Sequence, residues 1–187
     1  MRYRDGGGFT LLEVLVAVVV MALGVIGGTA MQLTAMRTRH QSLLLSQSMQ
    51  LASSLAEQMR ANPQQMRLPD AGNIYLNLNY DALAEPDPAP PAALCFGADC
   101  DSAQLAASDL YQLKVQVHAS LPGGRALVCR DASAWQGGQL QWACSGGAGA
   151  PLVVKVGWRG KNPDGTPLKD AAGEYQPGVA LAVGAIK

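Results

Sequence analysis

One isolated carboxylate, four cysteines and two histidines set the chemistry open to this chain. Glu13 is the isolated carboxylate. From Val14 to Met36 no charged side chain follows it, and Thr29 is the first polar one. At the centre of a membrane helix such a group costs roughly 2.5–3.5 kcal/mol, somewhat less near the interface, and it is normally paired. Immediately before it stand Gly6, Gly7 and Gly8, a backbone that a protease can take in extended form. The cysteines Cys95, Cys100, Cys129 and Cys144 all lie beyond the apolar run. In an oxidising compartment they can pair in three ways, and proximity favours Cys95–Cys100 with Cys129–Cys144, the second closing a hairpin. The spacings Cys-x4-Cys and Cys-x14-Cys fit structural zinc patterns poorly. His40 and His118 stand in no ligand or nucleophile motif, and no glycine-rich loop cradles phosphate. Asp99 and Asp101 flank Cys100, where solvated loop acids are the simpler reading than calcium. No catalytic residue, metal or cofactor is expected.

The element that positions Glu13 is a long helix. The apolar run is long enough to cross a bilayer. A secretory signal would place its small-residue cleavage site after the apolar core, whereas here the glycines precede it. A cut there leaves the hydrophobic helix on the mature chain. Arg2 and Arg4 hold the leader on the cytoplasmic side. From Leu33 to Arg60 there is neither proline nor glycine, and Leu44, Leu51, Leu55 and Met59 recur at spacings of seven and four. The pattern predicts a 9–62 helical region, one helix from about Phe9 to Ala61 that ends before Asn62-Pro63, with a transmembrane segment at about 9–36 and an amphipathic second half. Gly24 and Gly28 form a small-xxx-small pair inside the span, which permits close helix approach in lipid.

Residues 63–109 read as a connecting region, with Glu85-Pro86-Asp87-Pro88-Ala89-Pro90-Pro91 forbidding regular helix. Over 110–187 the period turns to two. Leu113, Val115 and Val117 read as a strand carrying His118, followed by strands near Ala126–Cys129, Gln139–Cys144, Val153–Trp158 and Val179–Val183. The expected fold is α+β: a long helix laid on a small antiparallel sheet. The formal net charge is zero and the basic residues are scattered, so no nucleic-acid surface is expected.

Gly8-Phe9-Thr10-Leu11-Leu12-Glu13 behind a short basic leader resembles the processing signal of type IV pilins and pseudopilins. The resemblance implies a 1–8 leader, cleavage by a prepilin peptidase between Gly8 and Phe9, N-methylation of Phe9, and Glu13 as an assembly contact. The run Met59-Arg60-Ala61-Asn62-Pro63 and the strand ending Val156-Gly157-Trp158-Arg159 are similar to PilV-type minor pilins. That family implies a low-abundance subunit anchored in the bacterial inner membrane, with its globular part in the periplasm and later in the surface pilus. It works with other minor pilins, the major pilin and a tip protein in pilus assembly and adhesion. A minor pseudopilin of a type II secretion system shares the same first half, and a DNA-uptake pilin would need a basic stripe.

Overall fold

The computed structural model describes residues 10–97, 99–162, 164–170 and 173–184. Helix α1 runs over Leu11–Ala61 without interruption. The chain divides into two compact units between His40 and Gln41. In the first, the described side chains along the helix are exposed, and it passes through Gly24, Gly27 and Gly28 with open space where a Cβ would stand.

The second unit is built on the packed half of α1. Leu44, Ser48, Leu51, Ala52, Leu55, Ala56 and Met59 are buried, whereas Leu43, Leu45 and Met49 are exposed. The steps of three, four and seven mark one face of a helix. Full burial of a side chain such as Leu55 or Met59 is worth about 1.5–3 kcal/mol. The helix stops because Asn62 precedes proline. Asn62 then accepts from Gln65 N to start the short helix α2 (Pro63–Met66), with proline at its first position. The amide of the same side chain donates to Tyr75 Oη at 3.3 Å and to Ser102 O at 2.7 Å. Tyr75, in a 3-10 turn over Ile74–Asn77, donates in turn to Asp109 Oδ2 at 2.7 Å. Burial pushes the Asp109 carboxyl up, and the tyrosine bond only partly opposes it.

Residues 110–118 are helical, not a strand. They form the second half of helix α3 (Ser102–Ser120), so the division expected at 109/110 falls inside a helix and His118 lies in its last turn. The alternation of Leu113, Val115 and Val117 is ambiguous between periods. Leu110, Leu113 and Val117 also sit three and four apart, and these are the buried ones, while Val115 is exposed. The start signal decides the matter. Asp101 accepts from Ala103 N and Gln104 N, and the Gln104 side chain returns to Asp101 N, a complete capping box.

Four strands make one antiparallel sheet in the order β1-β2-β5-β6: β1 Asn79–Asp81, β2 Arg125–Arg130, β5 Leu152–Gly157 and β6 Pro177–Val183. The remaining two, β3 Trp135–Gln136 and β4 Gln139–Leu140, form a separate ribbon whose turn residues Gly137 and Gly138 both have positive φ. The segment ending at Cys144 therefore does not pair with β2, as the expected hairpin would require. Its first two residues pair with β3, and β2 pairs with β5.

Central strand β5 is buried throughout. Leu152, Val154 and Val156 join the core cluster with α1 and α3. Lys155 alternates to the other face, as a strand demands, and is fully buried there beneath the segment that follows β2. Its ammonium donates to the carbonyls of Gln141 at 2.7 Å, Ala143 at 2.8 Å and Trp142 at 3.3 Å, and pairs with buried Asp131. Asp131 Oδ1 accepts from the Ser145 hydroxyl at 2.7 Å and from the backbone N–H groups of Ser133 and Ser145. Burial alone would raise the Asp131 carboxyl. Lys155 and Ser145 outweigh it and hold the group at about 2.

Cys95 and Cys100 are joined at an S–S distance of 2.10 Å, and Cys129 and Cys144 at 1.93 Å. The second bridge closes a loop with a sequence separation of 15, which removes unfolded-state freedom worth about 3 kcal/mol. Replacing Cys129 and Cys144 together by serine should therefore lower unfolding stability by about that amount. Denaturant titration of the oxidised full-length protein and the variant measures it. Equal stabilities, or ready alkylation of all four cysteines before reduction, would reject the bridges.

Candidate functional site

The expected cleavage pair, Gly8 and Phe9, lies outside the described residues. The site begins at Thr10. Its Oγ1 accepts from Glu13 N at 3.3 Å, and its carbonyl accepts from Glu13 N at 3.0 Å and Val14 N at 3.3 Å. Thr10 thus caps α1, and Glu13 occupies the third helical position, where a carboxylate also meets the positive end of the helix dipole. The spacing Thr-x-x-Glu is the sequence signature of a capping box. It was available beside the glycine–phenylalanine motif, and it adds Thr10 to the residues that matter here.

Behind Glu13 the helix is apolar and fully accessible. Its most hydrophobic window has a mean hydropathy of 2.5 and no buried share. Leu11, Met21, Leu23, Ile26 and Met31 are each exposed. Residues 11–36 extend about 39 Å at 1.5 Å per residue, more than a hydrocarbon core of about 30 Å. Two hydroxyls on and just beyond this stretch bond back into the helix. Thr29 donates to the carbonyl of Ile26 at 2.9 Å and Thr38 to that of Thr34 at 3.1 Å. Such a surface is stable only where lipid or other apolar helices cover it. A carboxylate at one end then gives an otherwise featureless cylinder a polar point that must be matched.

The other candidates take structural roles. Asp101 caps α3. His118 sits in the last turn of α3, the end a cation favours. Among the described residues no group of three or more histidine, cysteine or acidic side chains is placed to hold a metal ion.

A capped, exposed, apolar N-terminal helix that continues into a packed half beneath a small antiparallel sheet defines the class, that of pilin-type subunits. Two family models match adjoining stretches, together more than half of the chain. The prokaryotic N-terminal methylation motif covers residues 4–29, and Type IV pilin Tt1218 covers residues 30–111. Both matches support a type IV pilin, and the exposed apolar helix fits a membrane-anchored subunit of that kind. The methylation motif contains Gly8, Phe9 and Glu13, and the pilin match ends within α3, before the sheet strands β2, β5 and β6. No curated protein and no solved structure matches the chain.

Proposed function

We propose that this chain is a minor pilin of the PilV type, a low-abundance subunit that helps to start assembly of a type IV pilus and to support adhesion or motility. A prepilin peptidase cuts between Gly8 and Phe9, Phe9 is N-methylated, and the subunit waits in the inner membrane with residues 41–187 in the periplasm. The 9–62 helix then moves from lipid into a bundle of like helices contributed by other minor pilins, the major pilin and a tip protein. Its apolar surface stays covered in both places, so the transfer needs no exposure to water.

The observation that carries this reading is the exposed apolar stretch of α1 with Glu13 as its one charge before Arg37. The run Met59-Arg60-Ala61-Asn62-Pro63 supports the subtype through its work at the helix end. Met59 is buried in the core, Arg60 pairs with Glu57 at 2.6 Å, and Asn62 ties α1 to Tyr75 and α3. Two disulfides suit an oxidising periplasm.

Mass spectrometry of sheared fibres tests the function. A low-abundance peptide series beginning at N-methylated Phe9 is expected, and deletion of the gene should reduce surface fibres. Full recovery in a secretion-system pseudopilus, with pili unaffected, would overturn the assignment. Processing has its own test. Because a side chain at the cut crowds the protease, Gly8→Val should leave full-length precursor in the membrane fraction. A mature N-terminus at Phe9 in that variant would remove the cleavage assignment.

A further inference from the structure

A pocket of about 270 Å³ opens at one end of the sheet, beside the ends of β1, β2 and β5, and its walls carry Arg125, Arg159, Lys169, Asp81 and Glu174 around Tyr175. The charges are not equivalent. Arg125 faces Asp81 across the β1–β2 ladder and bonds Glu174 Oε2 at 3.1 Å, while its guanidinium lies 4.5 Å from the centre of the Trp142 ring. Asp81 Oδ1 further accepts from Leu83 N at 2.9 Å. Arg125 is thereby neutralised. Arg159 and Lys169 form no ion pair among the described residues, and each lies 5.3 Å from the centre of the Tyr175 ring.

Both residues are exposed, and the backbone beneath each is fixed. Lys169 is the antiparallel bridge partner of Tyr175. The Arg159 backbone N–H donates to Pro122 O at 3.0 Å, and its stem lies across Gly123. A Cβ at Gly123 would stand 2.8 Å from the mobile Arg159 Cδ, and it is the φ of +57° that favours glycine at this position. Tyr175 is fixed through its carbonyl, which accepts from Trp142 Nε1 at 2.6 Å. Three cations and two carboxylates line the pocket, and the one positive charge in excess suits a single planar carboxylate, the group an arginine fork binds best.

We infer that this pocket binds the carboxylate of an acidic side chain presented by a peptide segment of another protein. A sugar would want an open aromatic face. Trp142 and Trp158 are both buried, and the Tyr175 ring already carries its two cations. The pocket lies in the globular unit, so the inference goes beyond the fibre reading and is measurable without fibre assembly.

The test uses full-length protein in detergent micelles, with ¹⁵N-labelled tryptophan. Trp142 and Trp158 line the pocket, and exposed Trp135 on the ribbon serves as internal reference. The probe is the blocked tripeptide Gly-Glu-Gly, compared with Gly-Gln-Gly, inorganic phosphate and glucuronate. The glutamate peptide should shift the Trp142 and Trp158 indole signals, leave Trp135 in place, and bind at least about fivefold more tightly than its glutamine counterpart. Arg159→Gln and Lys169→Gln should each weaken binding about tenfold, and Arg159→Lys should restore part of the loss. Unchanged Trp135 and amide dispersion identify the variants as folded. No shift with peptide up to about 20 mM, equal binding of the two peptides, or full binding by Lys169→Gln would overturn the inference. Phosphate or glucuronate binding as tightly as the glutamate peptide would overturn the assignment to a peptide.

Discussion

Replacing Lys155 with methionine is expected to destabilise the globular unit by about 3–5 kcal/mol, the largest effect of any single change outside the apolar core. The lysine is fully buried on β5, and its ammonium meets the Asp131 carboxylate and three carbonyls. Methionine fills the stem but leaves a buried charge without its counter-ion. For a unit of this size that corresponds to a fall in melting temperature of roughly 10 °C. Thermal unfolding of the full-length oxidised protein in micelles gives the number. Combining Lys155→Met with Asp131→Asn should recover part of the loss, because asparagine keeps an acceptor for Ser133 and Ser145 without the charge. Recovery stays partial, since the carbonyls of Gln141, Trp142 and Ala143 still lack their donor. A loss under about 1 kcal/mol, or strict additivity of the two substitutions, would show that the pair is not coupled.

The same pair gives the protein a defined acid response. Asp131 is held near 2 in the fold against an ordinary 3.8, a difference worth about 2 kcal/mol. A depressed folded value means that this stabilisation is complete above pH 4 and is lost as pH falls toward 2. Asp109 acts in the opposite sense. Burial raises its carboxyl, so it takes up its proton earlier in the fold than in the unfolded chain and offsets part of the loss. In Lys155→Met the carboxylate at 131 no longer has its cation, so protonation relieves the variant. The gap between wild type and variant should narrow as pH is lowered from 6 to 3.

Lys155 also marks where the sequence stopped being readable. Its neighbours Val154 and Val156 announce a strand, and a lysine between them reads as the solvent side. What buries it is the loop between β2 and β5, a twenty-odd-residue connection whose path is set by long-range bonds to Asp131 and by the Cys129–Cys144 bridge. Periodicity carries no information about such a cover. The long helix was legible because its two regimes, uncharged and then striped, each persist over many turns. In helix α3 three alternating residues satisfy both periods, although the Asp101–Gln104 capping box and Pro122-Gly123 bound a helix. At the N-terminus the motif around Gly8 and Glu13 is plain, and Thr10 stands inside it at capping-box spacing. The acidic-peptide pocket was invisible, since Arg125, Arg159 and Lys169 converge only through strand register and turns far apart in the chain.

Glu13→Val is expected to separate membrane residence from assembly. Valine removes the carboxylate while keeping the span apolar, so insertion should be unharmed or improved. The proposed cut at Gly8-Phe9 should persist, because the substitution lies four residues beyond it. In the fibre the situation reverses. Under the proposed processing, the methylated amine of Phe9, four positions before Glu13 in the sequence, is the cation that would pair with it, from the same subunit or from a neighbour in the bundle. Without Glu13 that amine is left uncompensated in a water-poor core, at a cost of about 3–5 kcal/mol. Such a cost disfavours incorporation by more than a hundredfold. A purely local role makes a different prediction. Glu13 is also the third helical residue behind the Thr10 cap, and losing a cap-box partner costs only about 1 kcal/mol of helix stability. Glu13→Gln distinguishes the two, since glutamine keeps the capping geometry but not the charge. If charge pairing sets the register, both Glu13→Val and Glu13→Gln should be depleted from sheared fibres while remaining processed and abundant in the inner membrane. If Glu13→Gln enters fibres like wild type, Glu13 serves as a cap, and the register between subunits is set elsewhere along the helix.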